Sequence, residues 1–173
     1  IQLAAQDLSA RGGSSAAEAI MTTDTVPKEA VHASPSGWTI GGMAKGAGML
    51  APALATMLVV ITTDAVVEAE PLAEALRTAT GFTFDRTDSD GCMSTNDSVI
   101  LLGSGASGVV AEPSEFAEAL TGVCASLARQ LITDAEGSAH DIEVRVDGAA
   151  SEADALEVAR AITRSNLFKC AVF

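Results

Sequence analysis

Lys45-Gly46-Ala47-Gly48-Met49-Leu50-Ala51-Pro52-Ala53-Leu54-Ala55-Thr56-Met57-Leu58-Val59-Val60-Ile61-Thr62 is the stretch from which the rest of the chain is read. A glycine-rich, proline-containing loop runs into a threonine, and that threonine opens the apolar run Met57 to Ile61. A short apolar run bounded by loop residues reads as a buried strand. Thr56 thus opens a buried strand, where a hydroxyl can be held rigidly at the mouth of a core. If the Ala55–Thr56 peptide bond were cut, Thr56 would carry both a nucleophile and a free α-amine. That amine titrates near pH ~8 when unperturbed, so a large fraction is neutral and can act as the hydroxyl's own base.

Working outward, helical and strand patterns alternate. Ser15-Ala16-Ala17-Glu18 has capping-box spacing after the Arg11-Gly12-Gly13 breaker, and its short helix ends near Met21-Thr22-Thr23-Asp24-Thr25. Gly37-Trp38-Thr39-Ile40-Gly41 is a short strand before the glycine loop. Pro71 to Thr80 places Leu72, Ala75, Leu76 and Ala79 on one helical face, with Gly81 as the stop. Asp97 to Leu102 is a second buried strand. Pro113 to about Ile132 is a helix with proline in its first turn and Glu115 and Glu118 near its positive end. Asp141 to Asp147 alternates strictly and is the clearest half-exposed strand; Ser151-Glu152-Ala153-Asp154 starts a last helix reaching Arg164. This order predicts a layered α/β or α+β sandwich.

The 173 residues suit one domain, and a composition 48% hydrophobic but 3% aromatic requires a core of Ala, Val, Leu and Ile. A formal charge of −13 with scattered basic residues argues against nucleic acid. No apolar run approaches the roughly 18 residues of a membrane span. Ile1-Gln2-Leu3 resembles neither a natural start nor a signal peptide, and Cys170-Ala171-Val172-Phe173 stops inside an apolar run, so the chain is expected to be part of something longer. Cys92, Cys124 and Cys170 are odd in number and far apart, without a CxxC or Cys/His cluster. That pattern predicts no metal site and reduced thiols in a cytoplasmic protein, with Cys124 a small core residue.

Several motifs fail on inspection. Gly103-Ser104-Gly105-Ala106-Ser107-Gly108 matches GxGxxG, but the next helix starts too late to put its N-terminus on a pyrophosphate, so a turn is expected. Asp88-Ser89-Asp90-Gly91 suggests a calcium loop, yet Arg86 holds the first ligand position and Asp97 replaces the bidentate glutamate. The Asp85 to Asp97 segment reads instead as a turn with Asx hydrogen bonds. Gly41 to Gly46 has P-loop spacing, with Ala47 where the phosphate-binding lysine belongs. His32 and His140 lie in polar contexts without a GxSxG elbow and read as two surface histidines.

Met21 to Thr25, Gly41 to Met49, Ala55-Thr56-Met57-Leu58, Asp90-Gly91-Cys92-Met93-Ser94-Thr95-Asn96-Asp97 and Thr133-Asp134-Ala135-Glu136-Gly137 together resemble the ornithine acetyltransferase (glutamate N-acetyltransferase) family of arginine biosynthesis. The resemblance covers nearly the whole chain, in order. It implies an αββα-type sandwich and a bifunctional, self-cleaving precursor. Thr56 Oγ would attack the Ala55 carbonyl, and the resulting ester would be hydrolysed to two chains. Residues 1–55 would be the C-terminal part of an α chain and 56–173 the N-terminal part of a β chain, together one domain incomplete at both ends. Thr56 would then carry acetyl from N-acetylornithine to glutamate, without metal or organic cofactor, acetyl-CoA being an alternative donor. The assembly implied is a heterotetramer of two α and two β chains.

Residue by residue, the resemblance assigns substrate binding to Thr22, Lys45, Thr56 and Glu136. A cation at Lys45 suits a substrate carboxylate, and an anion at Glu136 suits a cationic ornithine group. Thr23, adjacent to Thr22, could be the true contact. The plainer readings are a helix-terminating role for Thr22 and Thr23, solvated surface charges at Lys45 and Glu136, and an ordinary strand residue at Thr56. The family's oxyanion-hole residues, in an upstream Thr-Gly element, and its extreme C-terminal substrate contacts fall outside this sequence. The competing functions are an amidohydrolase or aminopeptidase using the same N-terminal threonine, and a catalytically silent α/β scaffold.

Overall fold

In the computed structural model, which describes residues 2–48, 57–89, 91 and 96–172, β-branched and small residues build a four-stranded sheet. Strands β1 (Lys28–Ala33), β2 (Thr39–Lys45), β3 (Leu58–Thr63) and β4 (Ser98–Gly103) lie side by side in chain order. β1–β2 and β2–β3 are antiparallel, and β3–β4 is parallel. A parallel pair needs a crossover, supplied here by helix α1 (Ala69–Phe82). Helix α2 (Pro113–Thr133) follows β4, opened by Pro113 and capped by Glu112, whose carboxylate accepts the Glu115 amide at 2.8 Å. Flanking these are two short N-terminal helices (Gln2–Gln6 and Gly13–Ala19), a 3₁₀ turn at Phe84–Arg86, and C-terminal helices α3 (Glu152–Thr163) and α4 (Asn166–Val172).

The core lies between one sheet face and α2. Ile40, Ala44, Val59 and Ile61 from the strands meet Phe116, Leu120, Val123, Cys124, Leu127 and Leu131 from the helix, all buried. Gly42 sits in that face because a Cβ there would lie 2.9 Å from Leu127 Cδ1 and 3.3 Å from Val123 Cγ1. The opposite face carries Leu58, Ile100 and Leu102, which are exposed among the described residues. β3 therefore buries alternate side chains and β4 half-buries Val99 and Leu101 between exposed neighbours, although their sequences read as wholly buried strands. The uniform apolar run hides the alternation because both faces are apolar.

The α/β class holds, with one helical layer on one sheet among the described residues. Four local expectations are corrected. The Ser15 capping box is not formed: the helix starts at Gly13 with Gly12 as its cap, and Ala16 N bonds Gly12 O at 2.9 Å. Gly81 does not stop its helix, which continues to Phe82 and ends where Thr83 Oγ1 turns back to Ala79 O at 2.6 Å. Asp141–Asp147 forms no strand, since no described strand offers it a ladder; Arg129 holds Asp141 at 2.6 Å instead. His32 is half-buried against Trp38, ring centroids 5.7 Å apart, rather than a surface residue. The GxGxxG segment is a turn, with Gly105 at φ 65° and Gly108 at φ 69°. Gly91 N donates to Asp88 Oδ1 at 2.8 Å, a local aspartate-to-backbone bond that spans three residues rather than the two of an Asx turn. Cys124 is a core residue whose burial pushes the thiol up to about 12.

Candidate active site at the end of the sheet

The site is assembled where β2 ends and β3 begins, with Lys45 directly opposite Leu58. Lys45 is only 6% exposed, which is unusual for a lysine and removes the solvated-charge reading. Its Nζ lies 3.0 Å from the Thr22 hydroxyl, so the loop after the second N-terminal helix folds onto the strand end. Glu136 reaches the same place from the turn after α2: its amide donates to Ala47 O at 2.5 Å. A Cβ at Gly48 would meet Glu136 Oε2 at 3.2 Å, so glycine permits that close approach. Thr22, Lys45 and Glu136, separated by up to 114 residues (136 − 22) in sequence, are thus gathered at one sheet end.

Thr56 and Ala55 lie outside the described residues, as do Asp90 and the stretch 92–95. Thr56 is bonded to Met57, which is buried immediately before β3. Met57 N donates to Asp97 Oδ1 at 2.7 Å, and Met57 O accepts from Ser98 N at 3.0 Å. Asp97 and Ser98, where the chain enters β4, therefore hold the residue after Thr56 on both its backbone polar groups. Burial raises the Asp97 carboxyl above its ordinary range, against the opposing pull of the Met57 amide.

A second set of residues behind the site has no assigned role in the sequence reading. Lys28, fully buried at the start of β1, sets its ammonium 2.7 Å from Asp24 Oδ1 and 2.6 Å from Asp134 Oδ2. A longer 3.4 Å bond runs to Val26 O. Asp24 also accepts the Gly46 amide at 2.7 Å and the Thr22 amide at 3.1 Å. Asp134 accepts the Thr25 amide at 2.9 Å and the Thr25 hydroxyl. Burial would raise the Asp24 carboxyl, but the Gly46 amide, Lys28 and the Thr22 amide together bring it down to about 2. Asp134 is lowered likewise, its burial outweighed by Lys28 and Thr25.

The signal for these residues was present, since Asp24 and Asp134 fall inside the quoted motifs. Their spacing, however, carries no hint that Lys28 joins them. A cavity of about 240 Å³ is lined by Ala47, Gly48 and Glu136 on one side and by Phe168 and Lys169 of α4 on another. Among the described residues no group of three or more His, Cys, Asp or Glu side chains could hold a metal ion. No helix among them is long and apolar enough to cross a membrane.

A buried ammonium thus sits beside a hydroxyl, while the Glu136 side chain, exposed, lies against Gly48, three residues beyond Lys45 along the chain. The fold and site therefore define an α/β protein with a cluster of charged side chains at its sheet end. The chain belongs to the ArgJ family, whose model matches residues 1–173. It is 62% identical over 172 residues to the arginine biosynthesis bifunctional protein ArgJ of Streptomyces coelicolor, covering 99% of this chain and 45% of that protein. The namesake protein of Thermobifida fusca is 59% identical over 162 residues, covering 94% of this chain and 42% of that protein. The crystal structure of arginine biosynthesis bifunctional protein argJ from Bacillus halodurans aligns with a TM-score of 0.58 at 38% identity, covering 65% of this chain and 55% of that one. The chain spans 45% of the length of the Streptomyces relative.

Proposed function

We propose that this chain forms part of an acetyltransferase that moves acetyl from N-acetylornithine to glutamate through Thr56. The observation that carries this reading is the convergence of Lys45, Thr22 and Glu136 at the sheet end that leads into Met57. Family membership supports it, the matched relatives being bifunctional proteins of arginine biosynthesis.

In this reading Thr56 Oγ first attacks the Ala55 carbonyl, the peptide C–N bond breaks, and an ester joins the two segments. Water hydrolyses the ester, leaving a carboxylate on Ala55 and an α-amine on Thr56. Residues 1–55 then end one chain and 56–173 open the other. In turnover the neutral amine takes the hydroxyl proton as Oγ attacks the acetyl carbonyl. The amide C–N bond breaks and ornithine leaves with that proton, so Thr56 holds the acetyl as an ester. The amine of glutamate attacks this ester, and Oγ recovers its proton as N-acetylglutamate departs. Lys45 neutralises a substrate carboxylate, Thr22 orients it through the shared hydrogen bond, and Glu136 receives the cationic end of ornithine. The chemistry uses the Thr56 hydroxyl and α-amine without metal or organic cofactor, with acetyl-CoA as a second candidate donor. The setting is cytoplasmic, and the two chains pair as a heterotetramer.

The test is glutamate-dependent acetyl transfer by the full-length protein, measured beside release of free acetate and ornithine. Transfer that disappears in Thr56→Ala supports the reading. Acetate release unaffected by glutamate indicates an amidohydrolase instead, and turnover retained in Thr56→Ala removes Thr56 from the mechanism.

A further inference from the structure

Behind the substrate cluster, Lys28 binds two carboxylates that belong to opposite sides of the site. Its three ammonium protons match three acceptors: Asp24 at 2.7 Å, Asp134 at 2.6 Å and Val26 O at 3.4 Å. The Lys28 and Asp24 side chains are 0% exposed and that of Asp134 is 7% exposed. Burying such charges is costly, and packed apolar side chains of equal volume commonly stabilise a fold as well or better. The network's distinguishing property is therefore geometric: each carboxylate orients a different substrate-facing segment.

Asp24 does so on one side. By accepting the Thr22 and Gly46 amides at 3.1 and 2.7 Å, it fixes the residue whose hydroxyl meets Lys45 and the residue that follows Lys45. Gly46, at φ 152°, adopts a backbone conformation that side-chain-bearing residues seldom take, and its amide is turned to Asp24. Asp134 does so on the other side. It stands two residues before Glu136 at the end of α2, and its bonds to Thr25 and Lys28 fix where the Glu136 turn leaves the helix. The Glu136 amide then locks onto Ala47 O at 2.5 Å, closing the circuit.

We propose that Asp24, Lys28 and Asp134 are positioning residues that set the separation between Lys45 with Thr22 on one side and Glu136 on the other. They touch no reacting atom and act through the residues they hold. The proposal rests on the functional reading given above, since it names what that separation is for: matching the distance between the carboxylate and the cationic end of one substrate.

The experiment uses the full-length protein carrying Asp134→Asn, Asp24→Asn, Lys28→Arg or Lys28→Met. Thermal midpoint, KM and kcat for N-acetylornithine, and calorimetric binding of N-acetylornithine are measured together. Asp134→Asn keeps the shape and an acceptor for Thr25 while losing the charge on Lys28, so it is the variant least prone to unfold. The expected result is a KM for N-acetylornithine raised about tenfold or more, with binding weakened in parallel and kcat changed far less, that factor corresponding to one displaced contact. Lys28→Arg, which keeps the charge, recovers part of the affinity relative to Lys28→Met. Folded Asp134→Asn and Asp24→Asn proteins with wild-type KM and affinity, differing only in thermal midpoint, overturn the proposal. Absence of acetyl transfer in the wild-type protein refutes the functional reading instead; the ratio of variant to wild-type binding then still judges the positioning role.

Discussion

The two ends of the molecule use ion pairs in opposite ways. At the sheet end, Lys28 joins Asp24, four residues before it, to Asp134, 106 residues after it, with all three side chains at most 7% exposed. Toward the C-terminus, Arg145 pairs with Asp147 at 3.1 Å with side chains 78% and 74% exposed, a bond between near neighbours in the chain. The first arrangement fixes long-range geometry; the second fixes only its own residues. Charge at the sheet end is therefore architectural, whereas the exposed Arg145–Asp147 pair holds only its own two residues.

The sharpest way to break this contrast is to delete its central cation. Lys28→Met leaves two buried carboxylates facing each other and is expected to cost about 3–5 kcal/mol, read as a lowered denaturation midpoint. A midpoint within experimental error of wild type would mean the triad is no more structural than the surface pairs. The next effect is a pH dependence. Asp24 titrates at about 2 in the folded state against 3.8 ordinarily, so its contribution is fully present above pH 3.8 and is lost as pH falls toward 2. Asp134, lowered in the same direction, adds to that loss. Asp97 works the other way, because burial raises its carboxyl and its ionised form opposes folding above the ordinary carboxylate range. Acid titration of unfolding should therefore steepen below pH 3.8 in the wild type, and Asp24→Asn should flatten it.

On the far side the expected effects shrink. Ser151 caps α3 through a 3.1 Å bond from Asp154 N, and Ser151→Ala should cost about 1 kcal/mol, seen as faster amide exchange confined to that helix. Exchange accelerating across the sheet as well would show the two regions to be coupled. Arg145→Ala should leave the denaturation midpoint unchanged, as exposed pairs usually do.

The same contrast explains what was legible in the sequence. Pro113 in the first turn and the acidic Glu115 and Glu118 near the positive end announce α2 because each signal is local. Thr22, Lys45 and Glu136 were found through resemblance, and nothing in their local spacing says that they meet. Lys28 stayed invisible since its partners lie 4 (28 − 24) and 106 (134 − 28) residues away and a lysine is ordinarily exposed. β1 was missed for the same reason, opening as it does on that lysine and Glu29. Asp141–Asp147 failed in the other direction: alternation marks a segment able to pair, while pairing needs a neighbour that no described residue supplies.

The central claim is that Thr56 is a nucleophile that first acts on its own chain. Intact mass of the full-length protein under denaturing conditions tests it most directly. Self-cleavage yields two polypeptides, the second beginning at Thr56, and Thr56→Ala leaves one uncut polypeptide. A wild-type protein that persists as a single unbroken chain would contradict it.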